Sequence, residues 1–245
     1  MTSPGPGDAG ADAGGPAGPA GPARPARPAR LVLVAGTGTE VGKTWVSAAL
    51  LGHWRVLGCR VAARKPAQSF EEGSGPTDAE ALGAASGEPP ERVCPAHRWY
   101  PVPMAPPMAA EALGLPPFTV ADLVAELEWE PGTDLGLVEC AGGVRSPQAD
   151  DGDLCDVAAA VEPDAVVVVA DAGLGTITAV RHAVNALATV PGGIEVVLNR
   201  FDPESELHRR NLDWLRRRDG LTVTAVDGNA MLALARRLAP IGAAR

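Results

Sequence analysis

The segment Ala35-Gly36-Thr37-Gly38-Thr39-Glu40-Val41-Gly42-Lys43-Thr44 follows a short apolar run at 31–34 and precedes a stretch with helical spacing. A buried strand, a glycine-rich turn and a Gly-Lys-Thr triplet opening a helix are the parts of a phosphate cradle. The glycines let backbone N–H groups converge on an anion, and the helix N-terminus adds partial positive charge. Lys43 is placed to reach the terminal phosphates, and the Thr44 hydroxyl to ligate magnesium. The usual phosphate-binding loop has glycine five positions before Gly42; here that position is Thr37 and the glycine is Gly36, so the loop is one residue longer. A glycine-rich turn that only packs a helix on a sheet has no use for a lysine there. The pattern points to nucleotide binding.

Magnesium takes hard oxygen ligands, so a nucleotide site needs a hydroxyl and one or two carboxylates. Thr44 supplies the hydroxyl. Glu139 closes an apolar run, where a carboxylate is costly without a compensating cation; a cap or a salt bridge is its plainer reading. Asp78 is a second candidate, although it could equally cap its own helix. Lys65 ends another short run and, with Lys43, could neutralise transferring phosphate oxygens, since phosphoryl transfer is mostly positioning and charge stabilisation. A lysine before Pro66 is also commonly a surface residue. Asn199 ends a later strand and could offer its amide to an adenine edge. No Ser-His-Asp or Cys-His arrangement is recognisable.

These residues need a frame, and the chain alternates between two periods. Strands are predicted at 31–35, 60–65, 135–139, 165–170, 194–198 and 221–226. Helices are predicted at 43–57, 78–86, 105–113, 120–128 (with Thr119 as N-cap), 153–161, 176–189, 203–218 and 229–238. The run AVVVVA at 165–170 is apolar throughout, as in a parallel strand covered on both faces. The expected fold is α/β: a doubly wound, mostly parallel sheet flanked by helices, of the P-loop NTPase type, in a single domain at 31–245. Its ligands belong at the carboxyl ends of the strands.

Residues 1–30 are almost entirely Pro, Gly, Ala and Arg and cannot bury enough surface to offset their ordering, so this segment is expected to be a disordered tail. It has no continuous apolar core and does not read as a secretory signal. Lys and Arg total 21 against 30 Asp and Glu, a net charge of −9, which argues against a nucleic-acid surface. No apolar run is long enough to span a bilayer. Four cysteines without a CxxC pair fit a reducing, cytoplasmic setting.

The loop, Lys65-Pro66-Ala67-Gln68-Ser69, Pro76-Thr77-Asp78, the stretch from Tyr100 to Pro106, Glu139 with Gly142-Gly143, and Asn199 occur in the order found in dethiobiotin synthetases. The chain resembles that family from about residue 31 to 226. The resemblance implies an ATP- and magnesium-dependent cyclo-ligase, usually a homodimer, that joins CO2 to a small-molecule diamine, 7,8-diaminopelargonate. It implies a carbamate, its phosphorylation by ATP, and closure of a cyclic urea. It further implies that Thr39, Glu40, Val41, Gly42, Lys43 and Thr44 hold ATP, with Asn199 at the base. Thr44, Asp78 and Glu139 would hold magnesium, Lys43 and Lys65 would be catalytic, and Ser69 would meet the carbamate or diamine. Thr178 stands near where that family binds the substrate carboxylate from the other subunit.

The chain departs from the family where Cys140 replaces a glycine after the acidic residue, which would crowd the metal. Met108 replaces a histidine, and Thr178-Ala179 stands where an asparagine, often followed by histidine, is usual. Those departures keep open a related ligase acting on another diamine. A switch ATPase of the ParA/MinD kind would want a second lysine early in the loop, and the stretch 36–41 contains none. The ATP half of a corrin-ring amidotransferase would want a glutaminase domain as well.

Overall fold

The architecture follows from one strand with two apolar faces. In β1 (Arg30–Gly36) every residue from Leu31 onward is buried. Leu31, Leu33 and Ala35 face one core, while Val32 and Val34 face another. The computed structural model describes residues 27–226 and 229–240, together with Met1.

After β1 the chain forms α1 (Lys43–Val56), β2 (Val61–Arg64), β3 (Gln68–Ser69), α2 (Asp78–Ser86), α3 (Pro90–Val93), β4 (Trp99–Tyr100), α4 (Pro106–Ala112) and α5 (Val120–Ala125). It continues through β5 (Leu135–Glu139), β6 (Pro147–Ala149), β7 (Gly152–Asp153), α6 (Leu154–Val161), β8 (Ala165–Asp171) and α7 (Thr176–Ala186). It finishes with β9 (Gly193–Asn199), α8 (Glu206–Arg217), β10 (Thr222–Ala225) and α9 (Ala230–Leu238).

Six strands make the central sheet in the order β10-β9-β8-β1-β5-β2, and every neighbouring pair is parallel. One face is covered by α1, α2 and α9 through Val46, Leu50, Trp54, Leu82 and Leu234. The other is covered by α5, α6, α7 and α8 through Leu123, Leu154, Val157, Val180 and Leu215. From central β1 the sheet grows toward β5 and β2 on one side and toward β8, β9 and β10 on the other. The loop after β1 therefore sits at the point where strand order reverses, the standard ligand crevice of an open α/β sheet.

The expected elements recur with shifted ends: most helices are shorter, whereas β1, β8 and β9 run one residue further at one or both ends. The helix at 120–128 stops at Ala125, where Glu126 turns to a bidentate pair with Arg98 at 2.7 and 2.9 Å. The helix at 203–218 begins at Glu206 because the Ser205 hydroxyl caps it. The short strands β3, β4, β6 and β7 have no counterpart in the sequence reading. Most of the Pro/Gly/Ala/Arg-rich segment, 2–26, lies outside the described residues. Its last residues belong to the folded body: Pro28 is buried, and Ala29 N–H donates to Thr133 O at 2.9 Å.

Candidate functional site

The turn from Gly36 to Thr44 folds back on itself. A Cβ at Gly36 would lie 2.9 Å from both Gly38 O and Lys43 Cδ, so only glycine permits the approach. Gly42 opens α1 with φ 88, and a side chain there would strike Asn199 Nδ2 at 2.0 Å. Lys43 arches across the turn, its Nζ 3.2 Å from Gly38 O. Burial and the nearby Lys65 ammonium hold the Lys43 pKa below the ordinary lysine value, a cost that incoming phosphate charge would relieve.

Below the turn, the ends of β2 and β5 and the first turns of α1 and α2 bring charged and hydroxyl groups together. Thr44 Oγ1 lies 2.7 Å from Asp78 Oδ1 and 2.9 Å from Glu139 Oε1. Lys65 follows β2 and sends its Nζ to Asp78 Oδ2 at 2.5 Å and to Glu139 Oε1 at 2.8 Å. Ser47, one turn further along α1, donates to Glu139 Oε2 at 2.6 Å. Burial would pull the Lys65 pKa down, but the two carboxylates outweigh it and hold the ammonium above its usual range. Burial likewise opposes ionisation of Asp78, and the Lys65 charge overcomes it, so this carboxyl is held below its usual value.

The ambiguity over Asp78 is resolved by its neighbour. Thr77 caps α2 in a reciprocal capping box with Glu80, leaving the Asp78 side chain free to face Thr44. Gln68 on β3 accepts from Ala79 N–H at 2.9 Å and so ties the first turn of α2 to the cleft.

The oxygen set fits a magnesium ion. Octahedral coordination at about 2.1 Å places adjacent ligands roughly 3 Å apart, close to the Thr44–Asp78 and Thr44–Glu139 spacings. One hydroxyl and two carboxylates also leave positions for phosphate oxygens and water.

The cleft has a volume of about 630 Å³. Its walls include Thr39, Glu40, Gly42, Lys43, Thr44, Lys65, Ser69 and Asp78, which the sequence singled out. Glu139 lies buried beneath it. Ser69 Oγ donates to Met104 O at 2.5 Å. Asn199 lies under the turn, not in the cleft wall, and its Nδ2 donates to Val41 O at 3.0 Å. Thr178 is exposed on α7 and does not line the cleft of this single chain. Cys140 does not crowd the carboxylates: its side chain packs in the core on the face opposite α1, and burial pushes its thiol up to about 12. Sequence reasoning missed Ser47, Gln68 and Arg200; the last donates to Glu40 O at 2.8 Å. Ser47 and Arg200 act on residues distant in the chain, and Gln68, though it stands in the 65–69 stretch, acts on the start of α2.

A family model described as an AAA domain (AAA_26) matches residues 30–226. The chain is 41% identical over 160 residues to an ATP-dependent dethiobiotin synthetase BioD of Rhodococcus jostii, covering 64% of this chain and 68% of that protein. It is 39% identical over 170 residues to an ATP-dependent dethiobiotin synthetase BioD of Corynebacterium efficiens, covering 68% and 73%. Among solved structures, the signal recognition particle receptor FtsY from Elizabethkingia anophelis, in complex with GDP, aligns with a TM-score of 0.50 at 16% identity. That alignment covers 87% of this chain and 62% of the receptor and speaks to fold alone.

Proposed function

This chain belongs to the ATP-dependent dethiobiotin synthetase family, and from that premise we propose that it makes dethiobiotin from 7,8-diaminopelargonate, CO2 and ATP in biotin biosynthesis. The observation that supports this reading best is the Thr44 hydroxyl within 2.9 Å of both Asp78 and Glu139, beneath a turn carrying Lys43. A ligase of this kind needs phosphate, metal and an acceptor anion gathered in one cleft. It needs no protein nucleophile.

In the proposed sequence, one amine of the diamine adds to CO2 and loses a proton, giving a carbamate. A carbamate oxygen displaces ADP at the γ-phosphorus and forms a carbamic-phosphoric anhydride. The second amine attacks the carbonyl carbon, phosphate leaves with the C–O electrons, the amine proton goes to solvent, and the cyclic urea closes. Residues 39–44 would hold the triphosphate, with Lys43 against its terminal oxygens. Lys65 would meet the carbamate and γ-phosphate, and Ser69 would orient the carbamate or diamine by a hydrogen bond. Asn199, which holds Val41 O, would contact the base. Thr44, Asp78 and Glu139 would hold magnesium, which when bound neutralises phosphate charge. Thr178, exposed here, would serve the substrate carboxylate across a homodimer, and we place the enzyme in the cytoplasm.

The test is direct. The diamine, bicarbonate, ATP and magnesium should together yield phosphate and a cyclic urea, and Lys43→Ala should abolish both while leaving the fold intact. Phosphate release with a different diamine but not this one would reassign the substrate. Full activity in Lys43→Ala would refute the phosphate assignment.

A further inference from the structure

We propose that Arg98 is a positioning residue for the acceptor side of the cleft, an inference that rests on the ligase reading above. Part of the cleft wall comes from Ser69 and from Pro103, Met104, Ala105 and Pro106. Prolines stand at 101, 103, 106 and 107, each with φ fixed by its ring. A stretch this stiff takes its position from where its ends are held. One end runs into α4. The other is β4, a strand of two residues paired with β3 in the register Gln68–Trp99 and Ser69–Tyr100. So short a pair cannot hold itself, and each residue of β4 has its own anchor.

Trp99 Nε1 donates to Cys94 O at 2.8 Å, which fixes the end beside Gln68. Tyr100 is buried, and its ring stacks on Phe118 with centroids 6.2 Å apart and planes 18° apart. Arg98 secures that stack. Its guanidinium carbon lies 4.2 Å from the Phe118 centroid, and its Nε and Nη2 donate to Glu126 at 2.9 and 2.7 Å. One flat fork thus ties both ends of α5, Phe118 before it and Glu126 after it, to the start of β4. From there the link reaches the cleft: Phe70 N–H donates to Tyr100 O at 3.0 Å, and Ser69 Oγ to Met104 O at 2.5 Å.

Neither Arg98 nor Glu126 stands in the cleft wall, so both act through other residues. Their side chains are 10% and 27% exposed. A pair drawn this far out of water is often matched in stability by apolar residues of the same volume; what it adds is a fixed geometry. Among the described residues no hydrogen bond joins 97–106 to the phosphate turn at 36–44, so a shift of the wall should leave the triphosphate grip intact.

The experiment is steady-state kinetics of the full chain with 7,8-diaminopelargonate, bicarbonate, ATP and magnesium, read beside denaturant titration. Arg98→Met leaves Glu126 with His97 alone, at 3.2 Å, and should lower stability. It should also raise the KM for the diamine about tenfold while the KM for ATP moves by less than about twofold. Arg98→Lys should behave like Arg98→Met, because an ammonium has neither the fork nor the flat face. Arg98→Met/Glu126→Leu removes the stranded charge, so stability should return while the diamine KM stays raised; this variant carries the test even where Arg98→Met fails to fold. A diamine KM that recovers together with stability would make the pair a structural prop and overturn the proposal, as would equal rises in both KM values or no change in either. Wild-type protein that releases no phosphate with this diamine would bring down the ligase reading itself and this inference with it.

Discussion

Lys65 Nζ lies 2.8 Å from Glu139 Oε1, and neither side chain is more than 2% exposed. A cation and an anion removed from water together are costly to separate, because removing one strands the other in low dielectric. The Lys65 ammonium is the counter-charge that lets Glu139 and Asp78 sit beside Thr44. Lys65→Met should therefore destabilise the fold by about 3 kcal/mol in denaturant titration. The double variant Lys65→Met/Glu139→Gln should recover at least half of that loss. A single variant as stable as wild type would show that the pair contributes nothing.

The depressed pKa of Lys43 gives a pH dependence with a definite sign. Burial disfavours its charged form, and the Lys65 ammonium beside it repels a second positive charge. The unfolded chain holds this proton up to the ordinary lysine value of 10.5, while the folded chain releases it earlier. Between those two values the unfolded state binds more protons, so the Lys43 contribution makes stability rise with pH. Phosphate oxygens beside the ammonium should reverse the shift. ATP binding in the alkaline range should then take up a proton, seen as a dependence of calorimetric heat on buffer ionisation enthalpy. The uptake should vanish in Lys43→Met; uptake of the same size in that variant would point to another group.

Gln68 shows how a residue outside the reacting set can govern the site. Its Oε1 accepts from Ala79 N–H, next to Asp78. Gln68→Leu leaves that buried donor unpaired, at a cost of about 1–3 kcal/mol. Turnover should fall with a larger rise in the magnesium concentration for half-maximal activity than in the KM for ATP. Equal changes in both would mean that the whole cleft had loosened, not the Asp78 corner alone.

What could be read in the chain was what is local. The triplet Gly42-Lys43-Thr44 carries its chemistry in consecutive residues, and AVVVVA at 165–170 announces a strand covered on both faces. Glu139 stood out because a carboxylate closing a buried strand demands a cation. Asp78 stayed ambiguous until Thr77 was seen to take the capping role. Ser47, Arg200 and the pairing of β3 with β4 were illegible for one reason. Ser47 acts on a residue 92 positions away and Arg200 on one 160 away, and a two-residue strand has no period.

Cys140 is a departure whose expected harm disappears in three dimensions. Successive residues of a strand point to opposite faces. Glu139 shares the α1 face through Ser47, and Cys140 lies among Val138, Val168 and Ala170 in the other core. Cys140→Gly should therefore cost about 1–2 kcal/mol through lost packing and added backbone freedom. It should not improve magnesium-dependent turnover, and a clear gain in metal affinity would show that the thiol does encroach on the carboxylates.

Gly42 and Asn199 are coupled in a way that a double-mutant cycle can resolve. Gly42→Ala meets two separate obstacles: backbone at φ 88, which disfavours any side chain, and Asn199 Nδ2 only 2.0 Å from the new Cβ. The first obstacle costs about 1 kcal/mol or more and belongs to Gly42 alone. The second belongs to the pair, because shortening Asn199 removes the clash. Gly42→Ala should weaken ATP binding strongly but measurably, and Asn199→Ala alone should weaken it less, by releasing Val41 O. In the double variant the two losses should fall short of additive, since the clash is counted only once. Additive losses would mean that the turn yields freely when Asn199 is pressed, and that its shape depends on the φ angle of Gly42 instead of on the amide beneath it.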